Sequence, residues 1–179
     1  MNTKRIVINL LFIVTFIIIY FLQSNLFTWF KIAGVMPNLF VIFVLFIGLY
    51  ANKFMGPMYG VCFGLLLDFF IGKKIGITAI MLGLVGLVGM IFDRNFSKEN
   101  RITLIVMVLM ATVIFEVGEY ILGYFINNTY IQIWPFIEIL LIECFYNVLI
   151  TIIVYPLIQI FGNKIENEYK GNKILTRYF

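Results

Sequence analysis

The chain has 179 residues, of which 63% are hydrophobic and 12% charged, with a net charge of +4 and a mean hydropathy of +1.04. These values exclude a water-facing globular core and indicate a polytopic membrane protein. Histidine is absent, which removes the commonest metal ligand and general base. The basic residues lie scattered at the ends of apolar runs, a distribution that suits membrane orientation and anionic lipid, not nucleic acid.

After Lys4 and Arg5, the apolar run Ile6 to Leu22 predicts a first span. The run is long for a signal peptide, and Gln23-Ser24-Asn25-Leu26 offers no small-x-small cleavage site, so the span is expected to be retained. The aromatic stretch around Phe27, Trp29 and Phe30 reads as an interfacial segment. Pro37 opens a second span over 38–50, and a turn from Asn52 leads to Pro57 at a natural first helical position.

The third span, about 57–72, carries the most ordered pattern in the chain. Gly56, Gly60, Gly64, Gly72 and Gly76 fall in a four-residue register, and Asp68 occupies the one place where a glycine is missing. Four-residue spacing keeps side chains near one helix face, so a neighbouring backbone can approach closely. Asp68 on that face is expected to point at protein, because an ionised carboxylate facing hydrocarbon costs several kcal/mol.

The fourth span, about 76–92, has Gly83, Gly86 and Gly89 at three-residue spacing. That pattern wanders round the helix and argues less for a single contact face. A hydrophilic loop, Asp93 to Arg101, precedes a fifth span over 102–126. Trp134-Pro135 begins a sixth, 133–161, long enough to tilt or to bend near Pro156. The tail from Gly162 to Phe179 reads as a short surface helix or a frayed end. The expected fold is therefore a single all-α domain of six transmembrane helices.

Basic residues set the orientation. With the N-terminus cytoplasmic, that side holds Lys4, Arg5, Lys53, Arg94, Lys98, Arg101, Lys164, Lys170, Lys173 and Arg177, against Lys31, Lys73 and Lys74 opposite. Both termini are expected inside. Cys62 and Cys144, in apolar runs without Cys-x-x-Cys spacing, are expected to be buried small hydrophobes.

Five of the acidic residues, Asp68, Glu116, Glu119, Glu138 and Glu143, fall within or at the edge of spans, and Glu116 and Glu119 share a helix face. They either line an acidic cavity opening outward, capped by Lys73 or Lys74, or are separately hydrogen-bonded, protonated or interfacial, as Glu138 beside Trp134 is expected to be. Without histidine, an activated serine or cysteine, or an aspartate-rich metal motif, neither catalysis, a metal nor a cofactor is expected. A helix-packing subunit of a membrane complex and a small-molecule binding or transport subunit remain.

The order of features resembles the bacterial rod shape-determining MreD family over nearly the whole chain. The matching pieces are Leu22-Gln23-Ser24, Pro37-Asn38-Leu39, Gly56-Pro57-Met58-Tyr59-Gly60 through Gly64-Leu65-Leu66-Leu67-Asp68 to Gly72, then Gly76, Asn147 and Pro156-Leu157. The family commonly has an aspartate where this chain has Asn38, and Glu116, Glu119 and Glu143 do not map onto its pattern. The resemblance implies a non-catalytic plasma-membrane component of the elongation machinery. It would associate with MreC and, through the complex, with MreB, RodA and an elongation transpeptidase. The resemblance also implies a fold similar to the S-components of energy-coupling-factor transporters, which supplies the alternative, transport reading. S-components dock their partner through an Ala-x3-Ala pattern on the first helix, and Ile6 to Leu22 contains no alanine.

Overall fold

The structure, a computed structural model, describes residues 3–51, 54–71, 76–96, 98, 100–127 and 132–170. Lys53, Gly72, Lys73, Lys74, Asn128, Thr129 and the tail beyond Lys170, with Lys173 and Arg177, lie outside the described residues. Among the described residues there are six α-helices and no strand. They are α1 (Thr3–Phe21), continued by a π-helical turn at Leu22–Leu26, α2 (Leu39–Tyr50), α3 (Met55–Ile71), α4 (Ile77–Asn95), α5 (Arg101–Asn127) and α6 (Ile133–Lys170).

Four segments are long and apolar enough to cross a bilayer: Thr3–Leu26, Ile77–Asn95, Arg101–Ile126 and Ile133–Lys170. The helices α2 and α3 are shorter, and α2 spans only about 18 Å at 1.5 Å per residue. Yet α2 is the centre of the bundle. All of its residues except Leu39, Phe43 and Phe46 are buried, as expected of a helix that is hydrophobic all round.

The helix α1 lies at the edge and buries only Phe12 and Phe16. Phe16 stacks on Phe63 of α3 with ring centroids 4.4 Å apart, and Phe12 meets Tyr59 edge-on at 5.3 Å. Two aromatic anchors thus hold α1 to α3, and Asn9, which accepts the Tyr169 hydroxyl at 2.8 Å, ties it to α6. Most of its remaining apolar residues face outward.

Two expectations are corrected by the packing. The last helix does not stop at Phe161, since residues 162–170 continue α6 and do not form a separate surface helix or frayed end. Gly162 lies against the Tyr50 ring, and Glu166 is buried, so this charged stretch is held by the bundle. Cys62 is exposed and Cys144 only partly buried. Cys62 falls on the outward face of α3, among Val61, Leu65 and Leu66, where an apolar thiol can face lipid.

Candidate functional site

The helices α3 and α4 form an antiparallel hairpin whose seam follows the glycine register. A Cβ at Gly56 would lie 2.8 Å from Gly86 O, one at Gly60 would strike Leu82 O, and one at Gly64 would strike Ala79 Cα. All three obstacles are backbone atoms. Backbones this close gain dispersion and Cα–H···O contacts that larger side chains would forbid. Gly48 of α2 joins the same seam, because a Cβ there would lie 2.6 Å from Gly86 O and 3.0 Å from Gly89 Cα. The three-residue spacing on α4 has a physical reason: each step turns the contact by about 60° round the helix. A Cβ on Gly86 would accordingly meet Gly56 and Pro57 of α3 and one on Gly89 would meet Leu45 and Gly48 of α2, with the Gly86 carbonyl shared between the two neighbours.

The seam explains why the register is broken at Asp68. Moving up α3 by four residues moves down α4 by three or four, and opposite Asp68 the partner helix begins. What faces position 68 is therefore a set of free helix-start N–H groups and not a continuous backbone ridge. The Asp68 carboxylate, 1% exposed, accepts the N–H of Gly76 at 2.8 Å, of Thr78 at 3.3 Å and of Ala79 at 3.4 Å. It is a capping acceptor placed on the preceding helix, and its charge lies at the favourable end of the α4 dipole. Gly76 itself is not a packing residue, since nothing lies within 4 Å of a Cβ built on it. Its φ of +110° is what requires glycine.

The start of α2 is closed in the same way. Asn38 caps its own helix by accepting Val41 N–H at 3.3 Å. The Asn38 N–H is donated to Asn147 Oδ1 at 2.8 Å and the Leu39 N–H to Gln23 Oε1 at 3.2 Å. Asn147, fully buried, donates its Nδ2 to Thr112 Oγ1 at 2.9 Å. Three separated pieces of the sequence pattern, Gln23, Asn38 and Asn147, therefore converge on one buried helix start. Glu143 is buried on the next turn of α6, beside Glu116 and Glu119 and within hydrogen-bonding reach of Glu116 and Asn38. The structure thus brings these three glutamates together and leaves Asp68 apart from them. Glu138 is exposed.

The opposite end of α2 carries a feature the sequence reading missed. Leu49 O accepts Lys98 Nζ at 2.8 Å and Lys170 Nζ at 3.0 Å. The same two ammonium groups hold the two oxygens of Asp93, each at 2.6 Å. Lys98 also pairs with Glu166 at 2.9 Å and lies 4.7 Å from the centre of the Tyr50 ring. Lys98, read in the sequence as a loop cation, is only 5% exposed. Its signal was the alternation of Asp93, Lys98, Glu166 and Lys170, which only the folded chain brings together. Lysines at a helix C-terminus satisfy orphan carbonyls and the dipole at once.

Each polar group traced to a bond here closes a helix end or joins helices. In a bilayer an open backbone group costs several kcal/mol, so a short buried helix such as α2 must be closed at both ends by side chains. The arrangement is that of a close-packed helix bundle with its buried helix ends closed. No curated protein and no solved structure matches the chain. A family described as rod shape-determining protein MreD matches residues 3–165, which take in the glycine seam and the closed start of α2, but not Glu166 and Lys170 at its other end. The chain belongs to the rod shape-determining protein MreD family, a family of multi-pass membrane proteins that determine cell shape.

Proposed function

We propose that the protein is a non-catalytic integral subunit of the bacterial cell-elongation complex, supporting peptidoglycan synthesis by holding partner helices. The family match over residues 3–165 carries this reading. In it, α2 and α3 also span the bilayer, giving six spans with both termini cytoplasmic, in an arrangement like that of the S-components. MreC packs against the apolar outward faces, and MreB, RodA and an elongation transpeptidase are reached through the complex.

The physical support is that α1 and α6 keep most of their apolar surface outside the bundle. Ile13, Ile17 and Phe21 on α1 and Leu141, Phe145 and Ile153 on α6 are all exposed. Faces of this kind can exchange lipid for another helix at little cost, provided the bundle behind them is rigid. Gly56, Gly60 and Gly64, with Asp68 and Asn147, supply that rigidity in this proposal, while Glu116, Glu119 and Glu143 form a shared polar recess.

Depletion of the protein in its host, followed by microscopy, tests the proposal. Rounded, swollen cells are expected. Normal cell width with loss of uptake of one vitamin would replace it with the transport reading.

A further inference from the structure

We propose that a groove between α5 and α6 holds one anionic phospholipid, with the phosphate on Arg101 and an acyl chain along the apolar wall. The groove has a volume of about 460 Å³ and is lined by Arg101, Ile105, Thr151, Ile152, Tyr155 and Pro156. That volume falls within the roughly 300–1,000 Å³ of small-molecule sites and is far too small for a partner helix about 10 Å across.

Its chemistry is divided between two ends. Arg101 begins α5 at the mouth of the groove, and its guanidinium lies 5.0 Å from the centre of the Tyr155 ring. A cation–π contact with an aromatic ring does not use up the guanidinium N–H donors, whose fork matches two phosphate oxygens. Among the described residues no carboxylate pairs with Arg101. One turn further along α5 and α6 the wall is Ile105 and Ile152, with the Pro156 ring beside Tyr155. Thr151 adds no spare donor there, because its hydroxyl is already donated to Asn147 O at 2.7 Å.

Position commits the groove to lipid and not to a soluble phosphate. Both walls belong to helices long and apolar enough to cross the bilayer, and Ile152 is 52% exposed at the groove edge. A cation at the end of an apolar channel open to acyl chains is complementary to a lipid with a negative headgroup.

Native mass spectrometry of the full chain in detergent, titrated with phosphatidylglycerol and separately with phosphatidylcholine, tests this. One phosphatidylglycerol per chain is expected to bind in preference to phosphatidylcholine. Arg101→Gln should weaken it about tenfold, the size of one lost charge-assisted contact, while Arg101→Lys keeps most of it. Ile152→Trp, which fills the groove from an outward wall, should weaken it as well, with thermal unfolding confirming that the variant is folded. Equal binding of the two lipids, or wild-type binding by Arg101→Gln, overturns the proposal. Wild-type binding by a folded Ile152→Trp overturns the placement of the acyl chain.

Discussion

Asn147 Oδ1 accepts the backbone N–H of Asn38 at 2.8 Å, tying the last helix to the start of the second across 109 positions of sequence. The same side chain donates to Thr112 of α5, so one amide joins three helices. Replacing it by leucine leaves the half-buried Asn38 N–H without its acceptor, at about 1–3 kcal/mol, and cuts the link to Thr112, whose hydroxyl keeps only its own bond to Val108 O. Asn147→Leu should therefore lower the unfolding midpoint in detergent markedly, while Leu141→Ala on the outward face of α6 leaves it nearly unchanged.

Asp68 makes a graded prediction. Asp68→Asn keeps an oxygen for the α4 amides and loses the charge near the helix dipole, which is worth about 0.3–1 kcal/mol. Asp68→Leu removes every acceptor, and loss of a cap alone costs about 0.5–2 kcal/mol before the burial penalty is added. The ordering wild type, Asn, Leu is expected in both membrane accumulation and thermal stability. Equal loss in the two variants would assign the role to the charge.

The glycine seam separates positions that look alike in sequence. At Gly60 an added Cβ meets the backbone of Leu82, at its carbonyl oxygen and carbon, whereas at Gly83 the one close contact is a single methyl of the outward-facing Val61, at 2.8 Å. Gly60→Ala should destabilise by about 1–3 kcal/mol, the range of overpacked cores, and Gly60→Leu should abolish accumulation. Gly83→Ala should be much milder. Protein levels in membranes, with unfolding curves for the variants that accumulate, check the contrast.

At the other end of α2, Lys98 and Lys170 share the Leu49 carbonyl and the Asp93 carboxylate but differ in burial, with side chains 6% and 21% exposed. Removing one partner of a buried ion pair costs about 3–5 kcal/mol, and a more exposed one costs less. Lys98→Met should therefore destabilise more than Lys170→Met. Asp93→Asn, which leaves two ammonium groups close together, should approach Lys98→Met. Unfolding in a denaturing detergent reports all three.

What could be read from the sequence follows from the range of the interactions. The four-residue register of Gly56, Gly60 and Gly64 is local to one helix and was visible, as was the exception at Asp68. Gly48 was not, because a single glycine in a short apolar run has no periodicity. The glycines of α4 were undervalued because a three-residue step looks like drift until two different neighbours are known to share it. Residues 162–170 carry the composition of a surface tail, and it is partners distant in sequence, Tyr50, Asp93 and Lys98 together with Lys4 and Asn9 of α1, that make that stretch part of the bundle. The convergence of Gln23, Asn38 and Asn147 is likewise a fact of long-range pairing.

The central claim is that buried side chains of one helix close the start of another inside the bundle, and amide hydrogen exchange of the reconstituted protein tests it most directly. In the wild type the N–H groups of Asn38, Gly76, Thr78 and Ala79 should exchange slowly. In Asp68→Leu, protection should fall at Gly76, Thr78 and Ala79 and persist at Asn38, and in Asn147→Leu the pattern should reverse. Protection at all four amides that both variants leave unchanged would contradict the account.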